Sequence, residues 1–404
     1  MKNPNQDKSE NWPEYRGPRY DSHSEAVGLP LEWSETKNVR WKTAIPGLAW
    51  SSPVVWGKQV WLTTADEKGH EQSALCLDRE TGKILFQQTL FRNENPQRIT
   101  VDANTYASPS PVIEAGRVYV HFGTFGTACL DTKTFRTLWT RRDLHCDHSV
   151  GPGSSPFLYK DRLILTYDGM DVQFLIALDT KTGKTLWQTP RGTDYGSAGG
   201  EQRKSFTTPY PLVRGERTEL VSVSARAVCG YDPNTGKELW RVAHPGYSNA
   251  SRPLVAGGML LINTGFNTPE LWALRLDRPS GLAGEDRVWR CVRSVPAMSS
   301  PTVVDDLLYF LSDSEFVTCL ELASGKEVWR ERIGGKHYAS PLWADGRLYL
   351  FGENGKTRIL KPGRTFTLLG ENTLAAGCHA SPAVSGRALL LRSLSHLYCL
   401  ETRR

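Results

Sequence analysis

The 404-residue sequence has no apolar stretch approaching the ~20 residues that a membrane-spanning helix requires. It has no run of lysine and arginine, so a net charge of +6 with both signs interspersed marks no nucleic-acid face. The eight cysteines include no adjacent pair and do not read as a disulfide framework. Apolar residues recur at helical spacing almost nowhere, which points to an all-β chain. There is no glycine-rich loop leading into a helix, no nucleophile elbow and no zinc-protease motif. The opening stretch, MKNPNQDKSENWPEY, lacks the apolar segment of a secretory signal. On that reading the protein either stays in the cytoplasm or has lost a leader.

What is present is repetition. One phrase recurs as LDRETGKILF (77–86), LDTKTFRTLW (130–139), LDTKTGKTLW (178–187), YDPNTGKELW (231–240) and LELASGKEVW (320–329). A second phrase, a proline after a small polar residue and before apolar ones, recurs at Pro53, Pro111, Pro156, Pro211, Pro253, Pro301, Pro341 and Pro382. These prolines are 40 to 58 residues apart, the length of one four-stranded propeller blade. Residues 300–333 parse into four short strands separated by tight turns.

The recurring phrase has a physical role in such a blade. Its acidic residue caps backbone N–H groups in the turn. Its glycine supplies a positive φ. Its tryptophan, on the outer strand, fills the wedge between diverging blades and offers an indole N–H to the neighbouring backbone. Trp139, Trp187, Trp240, Trp289 and Trp329 take this place, with Phe86 in the first unit. Cys76, Cys129, Cys319 and Cys399 occupy equivalent places and read as small buried hydrophobes; Ala177 fills the same slot.

The last unit lacks its outer strand and its tryptophan. NVRWKTAI, at 38–45, supplies both, with Trp41 in register. The expectation is an all-β, eight-bladed propeller of four-stranded antiparallel blades. It forms a single domain over 1–404, with an N-terminal extension over 1–37 and the ring closed by strand 38–45 pairing into blade eight. Unit seven, LKPGRTFTLL, has lost both the acidic residue and the tryptophan, so its outer edge should be the least regular.

Strand order places two kinds of loop on one face: those joining blades, and those joining the second and third strands of a blade. The longest inter-blade segments are 91–110, 141–155 and 191–210, all in one sector, and loops of this length are uncommon unless they bind something. The residue before each marker proline should face the axis. Six of these are serines, and the exceptions are Tyr210 and Arg252. Arg252 offers either a fork for a carboxylate, phosphate or quinone oxygen, or a plug paired with a nearby acid. His145, Cys146, Asp147 and His148 form the run HCDH; four adjacent loop residues rarely wrap one ion, so no metal site is expected. In that reading Asp147 and His148 order the loop or touch a polar ligand, and His379 reaches the same face. Trp50, Tyr106, Tyr195, Phe206, Tyr247 and Tyr338 are the mouth aromatics, suited to a planar or sugar-like ligand or to ordinary loop packing.

The repeated phrase resembles the tryptophan-docking motif of quinoprotein alcohol dehydrogenases and, more broadly, the PQQ-binding-like β-propeller repeat family. NWPEYRGP at 11–18 followed by GLPLEWSETKNVRWKTAIPGLAWSSPVV at 28–55 resembles the start of bacterial members. The resemblance implies a propeller over nearly the whole chain. It leaves two functions open. One is a binding or scaffolding propeller that presents the 91–210 loop face to another protein or a small polar ligand, with no cofactor. The other is a PQQ-dependent alcohol or sugar dehydrogenase, with PQQ and calcium in the central channel and Arg252 polarising the quinone. Family members are often exported to the periplasm or cell envelope; a monomer is expected. Many alcohol-oxidising members carry a disulfide between adjacent cysteines, which this sequence does not have.

Overall fold

The structure, a computed structural model, describes residues 10–100, 103–267, 269–277, 281–313 and 315–402. The first nine residues of the extension, two residues of the 91–110 segment and the last two of the chain lie outside that set. Thirty-three short strands form eight sheets, and the described residues include no α-helix. Each sheet is a four-stranded antiparallel blade, the first running from Val54–Trp56 to Ile84–Arg92. The last blade takes its outer strand from Val39–Ala44, which pairs antiparallel with His396–Leu400 and sets Trp41 opposite Cys399. A fifth strand, His23–Ser24, adds in parallel to Leu342–Ala344 of blade seven.

The repeated phrase locks neighbouring blades together. Asp179 accepts hydrogen bonds from the amides of Lys181 and Thr182 and from the Thr182 hydroxyl, which hold its carboxyl below the usual range. Asp78 and Asp131 do the same in their turns. The following glycine is in the left-handed region, Gly82 at φ 71° and Gly183 at φ 70°. A Cβ on Gly82 would lie 2.5 Å from the Trp41 ring of the preceding blade, and one on Gly183 would lie 2.7 Å from Trp139. The indole N–H of each ring then reaches the next blade's turn: Trp41 to Arg79, Trp139 to Thr180, Trp187 to Pro233, Trp289 to Leu322 and Trp329 to Gly363. Trp240 differs, donating to the buried Glu219 of its own blade.

Two departures from the phrase compensate each other. Unit one has Phe86 for tryptophan, and unit two has Phe135, at φ 60°, for glycine. The two rings stack, 5.1 Å apart and within 10° of parallel. A smaller docking ring is thus matched by a larger turn residue.

Blade seven corrects an expectation. Its outer strand, Leu368–Thr373, pairs in full with Lys356–Leu360 and has the same register shift as the other blades. Strand pairing depends on the backbone; the tryptophan serves the contact to the next blade. That contact is made here by Glu35 of the extension, which accepts the Ala375 amide and, from blade eight, the Tyr398 hydroxyl, while Trp33 fills the missing ring's place on blade seven. Trp33 is buried, its amide donates to Asn372, and its ring lies 6.3 Å from Tyr349, much as Trp329 lies 5.9 Å from Tyr309.

The axis is organised by the residues that precede prolines. The Ser52 amide donates to Ser110 Oγ, Ser110 to Ser155 Oγ and Ser155 to Thr208 Oγ1. On the other side Arg252 donates to Ser300 Oγ, Ser300 to Ser340 Oγ and Ser340 to Ser381 Oγ. In unit four the relay residue is Thr208, before Pro209. Tyr210 lies two residues further on, in the strand Tyr210–Arg214, so the expected axial place of Tyr210 is corrected. Arginines cross the two remaining seams. The Arg252 guanidinium binds the Pro209 carbonyl at 2.8 and 3.0 Å, and Arg392 binds Ser51 Oγ at 2.5 Å and the Thr63 carbonyl at 2.9 Å.

The extension is a plug. Residues 10–24 touch the inner strand or its flanks in every blade. Glu10 accepts from Ser385 of blade eight, and Trp12 bridges Val55 of blade one. The Pro13 carbonyl accepts from Ile113 of blade two. The Tyr20 ring packs edge-on against Phe157 and Tyr210 of blades three and four. Glu14 pairs with Arg252 of blade five, Arg16 donates to the Pro301 carbonyl of blade six, and the Ser22 carbonyl accepts from Trp343 of blade seven.

Two truncations separate these roles. A chain starting at Ala26 keeps Trp33 and the closing strand but loses the plug; it should unfold cooperatively with a melting temperature at least ~10 °C lower, because several kcal/mol of buried contacts are gone. A chain starting at Pro46 should lose cooperative unfolding, as blade eight is left with an unpaired edge. Calorimetry on both chains checks this, and a melting transition unchanged from the full chain in either would contradict it.

Candidate functional site

Above the plug the channel opens into a cavity of about 590 Å³ on the loop-rich face. Its floor is Ser52, Ser110, Ser155, Thr208 and Ser381 of the relay, together with Tyr15 at the tip of the plug. The Tyr15 hydroxyl lies 3.3 Å from Ser340 Oγ. The walls are mainly apolar and aromatic, including Trp50, Phe206, Tyr247, Phe266, Met298 and Tyr338.

Three predicted site residues, Trp50, Tyr338 and His379, come together here. The His379 ring is sandwiched between Trp50, 4.1 Å away, and Tyr338, 4.5 Å away, each tilted by less than 25°. The His379 side chain is 7% exposed, and burial lowers its pKa to about 4, so the sandwiched ring is neutral. Of the other mouth aromatics, Phe206 and Tyr247 line the cavity. Tyr106 does not. It packs edge-on against Phe125, and its hydroxyl accepts the Ile99 amide.

Arg252 lies beneath the cavity. Every guanidinium nitrogen is engaged: Nε and Nη2 with the Pro209 carbonyl, and Nη1 with Glu14 at 2.5 Å and the Tyr15 carbonyl at 2.8 Å. Its charge also sits 5.0 Å from the centre of the Tyr20 ring. Tyr210 is buried beside that ring. Burial raises the Glu14 pKa to about 7, against the lowering effect of Arg252.

The three long loops form one network around Ser149. Asp147 accepts from the Gln97 side chain and the Ser149 amide, and Gln97 accepts the His148 amide in return. The Ser149 hydroxyl donates to Glu201, and Lys204 Nζ reaches both Ser149 and Glu201. Asp147 and His148 therefore order this sector. Cys146 Sγ is 3.4 Å from His148 Nε2, a distance that would suit a nucleophilic pair. Burial raises the thiol well above its ordinary pKa and lowers His148 to about 4, so the pair is an uncharged thiol beside a neutral imidazole.

The sequence reading missed Phe266, Met298, Lys204 and the plug residue Tyr15. Thr208 was hidden by a choice between two prolines two residues apart, Pro209 and Pro211. The relay itself carried a signal, because a hydroxyl before the proline recurred in unit after unit.

These features define a β-propeller of the PQQ-like class, built on tryptophan docking with an axial cavity on its loop face. The chain belongs to the family described as outer membrane protein assembly factor BamB, whose model matches residues 68–230, 175–297 and 270–361. A relative of that description from Yersinia pestis is 24% identical over an alignment of 253 residues, which covers 49% of this chain and 61% of the relative, less than two thirds of its length. Solved structures share the fold. A europium-containing methanol dehydrogenase superposes with a TM-score of 0.73 at 11% identity, covering 97% of this chain and 91% of that one. BamB from Moraxella catarrhalis gives 0.63 at 12% identity, covering 91% and 98%. A quinohemoprotein alcohol dehydrogenase from Comamonas testosteroni gives 0.65 at 11% identity, covering 99% and 82%.

The dehydrogenase likeness raises PQQ and its metal ion as a test of the cavity. Among the described residues no three His, Cys, Asp or Glu side chains converge as a metal donor set. The cavity's Lys204 is already held by Glu201 and Ser149, and Arg252 is engaged below the floor. The residues present do not fit a metal-bound quinone with several carboxylates.

The buried imidazoles set a pH dependence. Burial lowers His121 to about 3 and His148, His244 and His379 to about 4. The unfolded chain binds more protons below pH ~6.5, so stability is present above that value and lost as pH falls toward 4. Each imidazole contributes a loss of roughly 2–3 kcal/mol by pH 4. Glu14 acts oppositely: its folded pKa is raised, so its contribution is present below ~4.5 and lost as pH rises through ~7. Urea titrations should show stability falling between pH 6.5 and 4, and falling more steeply in Glu14→Gln. A flat profile would contradict the neutral, buried state of these rings.

Proposed function

We propose that this protein is a binding propeller whose loop-rich face presents the axial cavity to a polypeptide or small polar ligand. The observation that carries the reading is the cavity itself, a blind funnel walled by aromatic rings, floored by hydroxyls and sealed below by the chain's own N-terminal segment. A concave, mostly apolar site with a few placed polar groups is the usual form of a binding pocket. The loops tied together around Ser149 extend that surface around the mouth. The family description and the Yersinia pestis relative concern outer membrane protein assembly; by that likeness the partner is a polypeptide of the cell envelope, and the protein works there.

The probe is an unfolded outer-membrane β-barrel polypeptide, dye-labelled and diluted from urea, with binding followed by anisotropy. Phe266→Glu, at the exposed rim of the cavity, should weaken binding at least tenfold, and Lys181→Glu, on a turn of the opposite face, should leave it unchanged. Equal effects of the two substitutions would overturn the assignment of the face. Dye reduction that required both PQQ with calcium and an added alcohol or sugar would overturn the binding reading in favour of the dehydrogenase one.

A further inference from the structure

We infer that the axial cavity is a site for a single carboxylate carried on an apolar, ring-bearing group. This rests on the binding reading above and deepens it by naming the ligand chemistry.

The floor is a ring of hydrogen-bond donors. The hydroxyls of Ser110, Ser155, Thr208 and Ser381 each accept a backbone amide from the neighbouring blade, at 2.8 to 3.0 Å. Among the described residues no hydrogen bond within the protein uses their O–H protons, and Ser52 Oγ has no partner at all. A hydroxyl that accepts a hydrogen bond donates a stronger one. All five line the cavity, so their free donors serve whatever enters it. They favour acceptor oxygens on the ligand, because four of these oxygens already accept a relay amide while their O–H protons are unspent.

Charge selects among acceptors. Three fully buried guanidinium groups lie at or below this floor. Arg252 pairs with Glu14. Among the described residues Arg16 binds only neutral oxygens, those of Ser22, Asp21, Pro301 and Thr302, and Arg392 binds only those of Ser51 and Thr63. Ser51 adjoins the floor residue Ser52, and Pro301 follows the relay residue Ser300. The other acid near Arg16 is Asp21, which lies 3.6 Å from Arg19. The remaining acids around the cavity sit on the mouth loops: Glu201 pairs with Lys204, Asp313 caps the Ala297 amide, and Glu353 faces His379. The axis is therefore positive at its floor and neutral to negative at its rim. That polarity draws an anionic group inward and leaves its body among the rings of Trp50, Tyr338, Phe206 and Tyr247. The same apolar walls disfavour a second or third charge, because each would be desolvated without a partner.

The chemistry is shared by a free aromatic acid and by the carboxyl end of a polypeptide. Calorimetric titrations use four probes: N-acetyl-L-phenylalanine, its neutral carboxamide, and an acetylated Gly-Gly-Gly-Phe peptide with a free or an amidated C-terminus. Both acids should bind at least tenfold more tightly than their amides. Ser52→Ala combined with Tyr15→Phe removes two floor hydroxyls without taking an acceptor from any relay amide, and should narrow that ratio. Trp50→Ala should weaken all four probes. A tighter peptide acid assigns the site to a chain end, and a tighter short acid assigns it to a free metabolite. Equal binding of acids and amides overturns the carboxylate assignment. Binding of none of the four at millimolar concentration overturns it too. If, in either case, Phe266→Glu still weakens polypeptide binding, the loop-face reading stands without it.

Discussion

Eight wedges that meet at an axis leave their innermost amides beside a hole, and the structure depends on what those amides find. Here six of the eight amides before the axial prolines find the hydroxyl before the next such proline. The proline serves twice: it holds its predecessor extended, and it brings no N–H of its own to the axis. Six such links run around the ring, and at the two interrupted seams Arg252 and Arg392 carry the connection. An unsatisfied buried amide costs about 1–3 kcal/mol, so the relay stabilises every blade-to-blade junction it joins. Because the hydroxyls are spent as acceptors and not as donors, the same ring that holds the blades together also forms the donor floor of the cavity.

The periphery is held by a second device, the docking of one blade's outer ring onto the next blade's turn. The two devices tolerate substitution differently. At the rim, Phe86 against Phe135 and Trp33 against Tyr349 show that a missing tryptophan or glycine is made good by a complementary change or by a distant segment. At the axis the tolerance is narrower, and the one departure from a small hydroxyl, Arg252, is built into the plug. Arg252 binds Glu14, and Tyr210, displaced by two residues, packs on Tyr20. The N-terminal segment is thus a structural element of the channel, and it makes the cavity blind.

The architecture was legible because its determinants are local and repeated: an acid three residues before a turn threonine, a glycine at positive φ, a tryptophan on the next strand. The docking rings, the fourth strand of blade eight and the hydroxyls before the prolines could all be read by aligning the chain with itself. The site was legible only in part. Trp50, Tyr338 and His379 meet at the mouth, but Arg252 and Tyr210 looked axial while the plug that covers them had no repeat to betray it. Asp147 and His148 looked like candidate ligand residues, yet their partners, Gln97 among them, lie some fifty residues away. Non-repeating contacts between distant segments leave no pattern in a single sequence.

The central claim is that the relay amides are hydrogen-bonded, though they border an open cavity. Hydrogen–deuterium exchange resolved to single amides tests it directly. The amides of Ser52, Ser110, Ser155, Arg252, Ser300 and Ser340 should exchange only with global unfolding, as slowly as the core strands. Exchange of these amides at the rate of the mouth loops would show that water, and not the neighbouring blade, satisfies them, and would contradict the account.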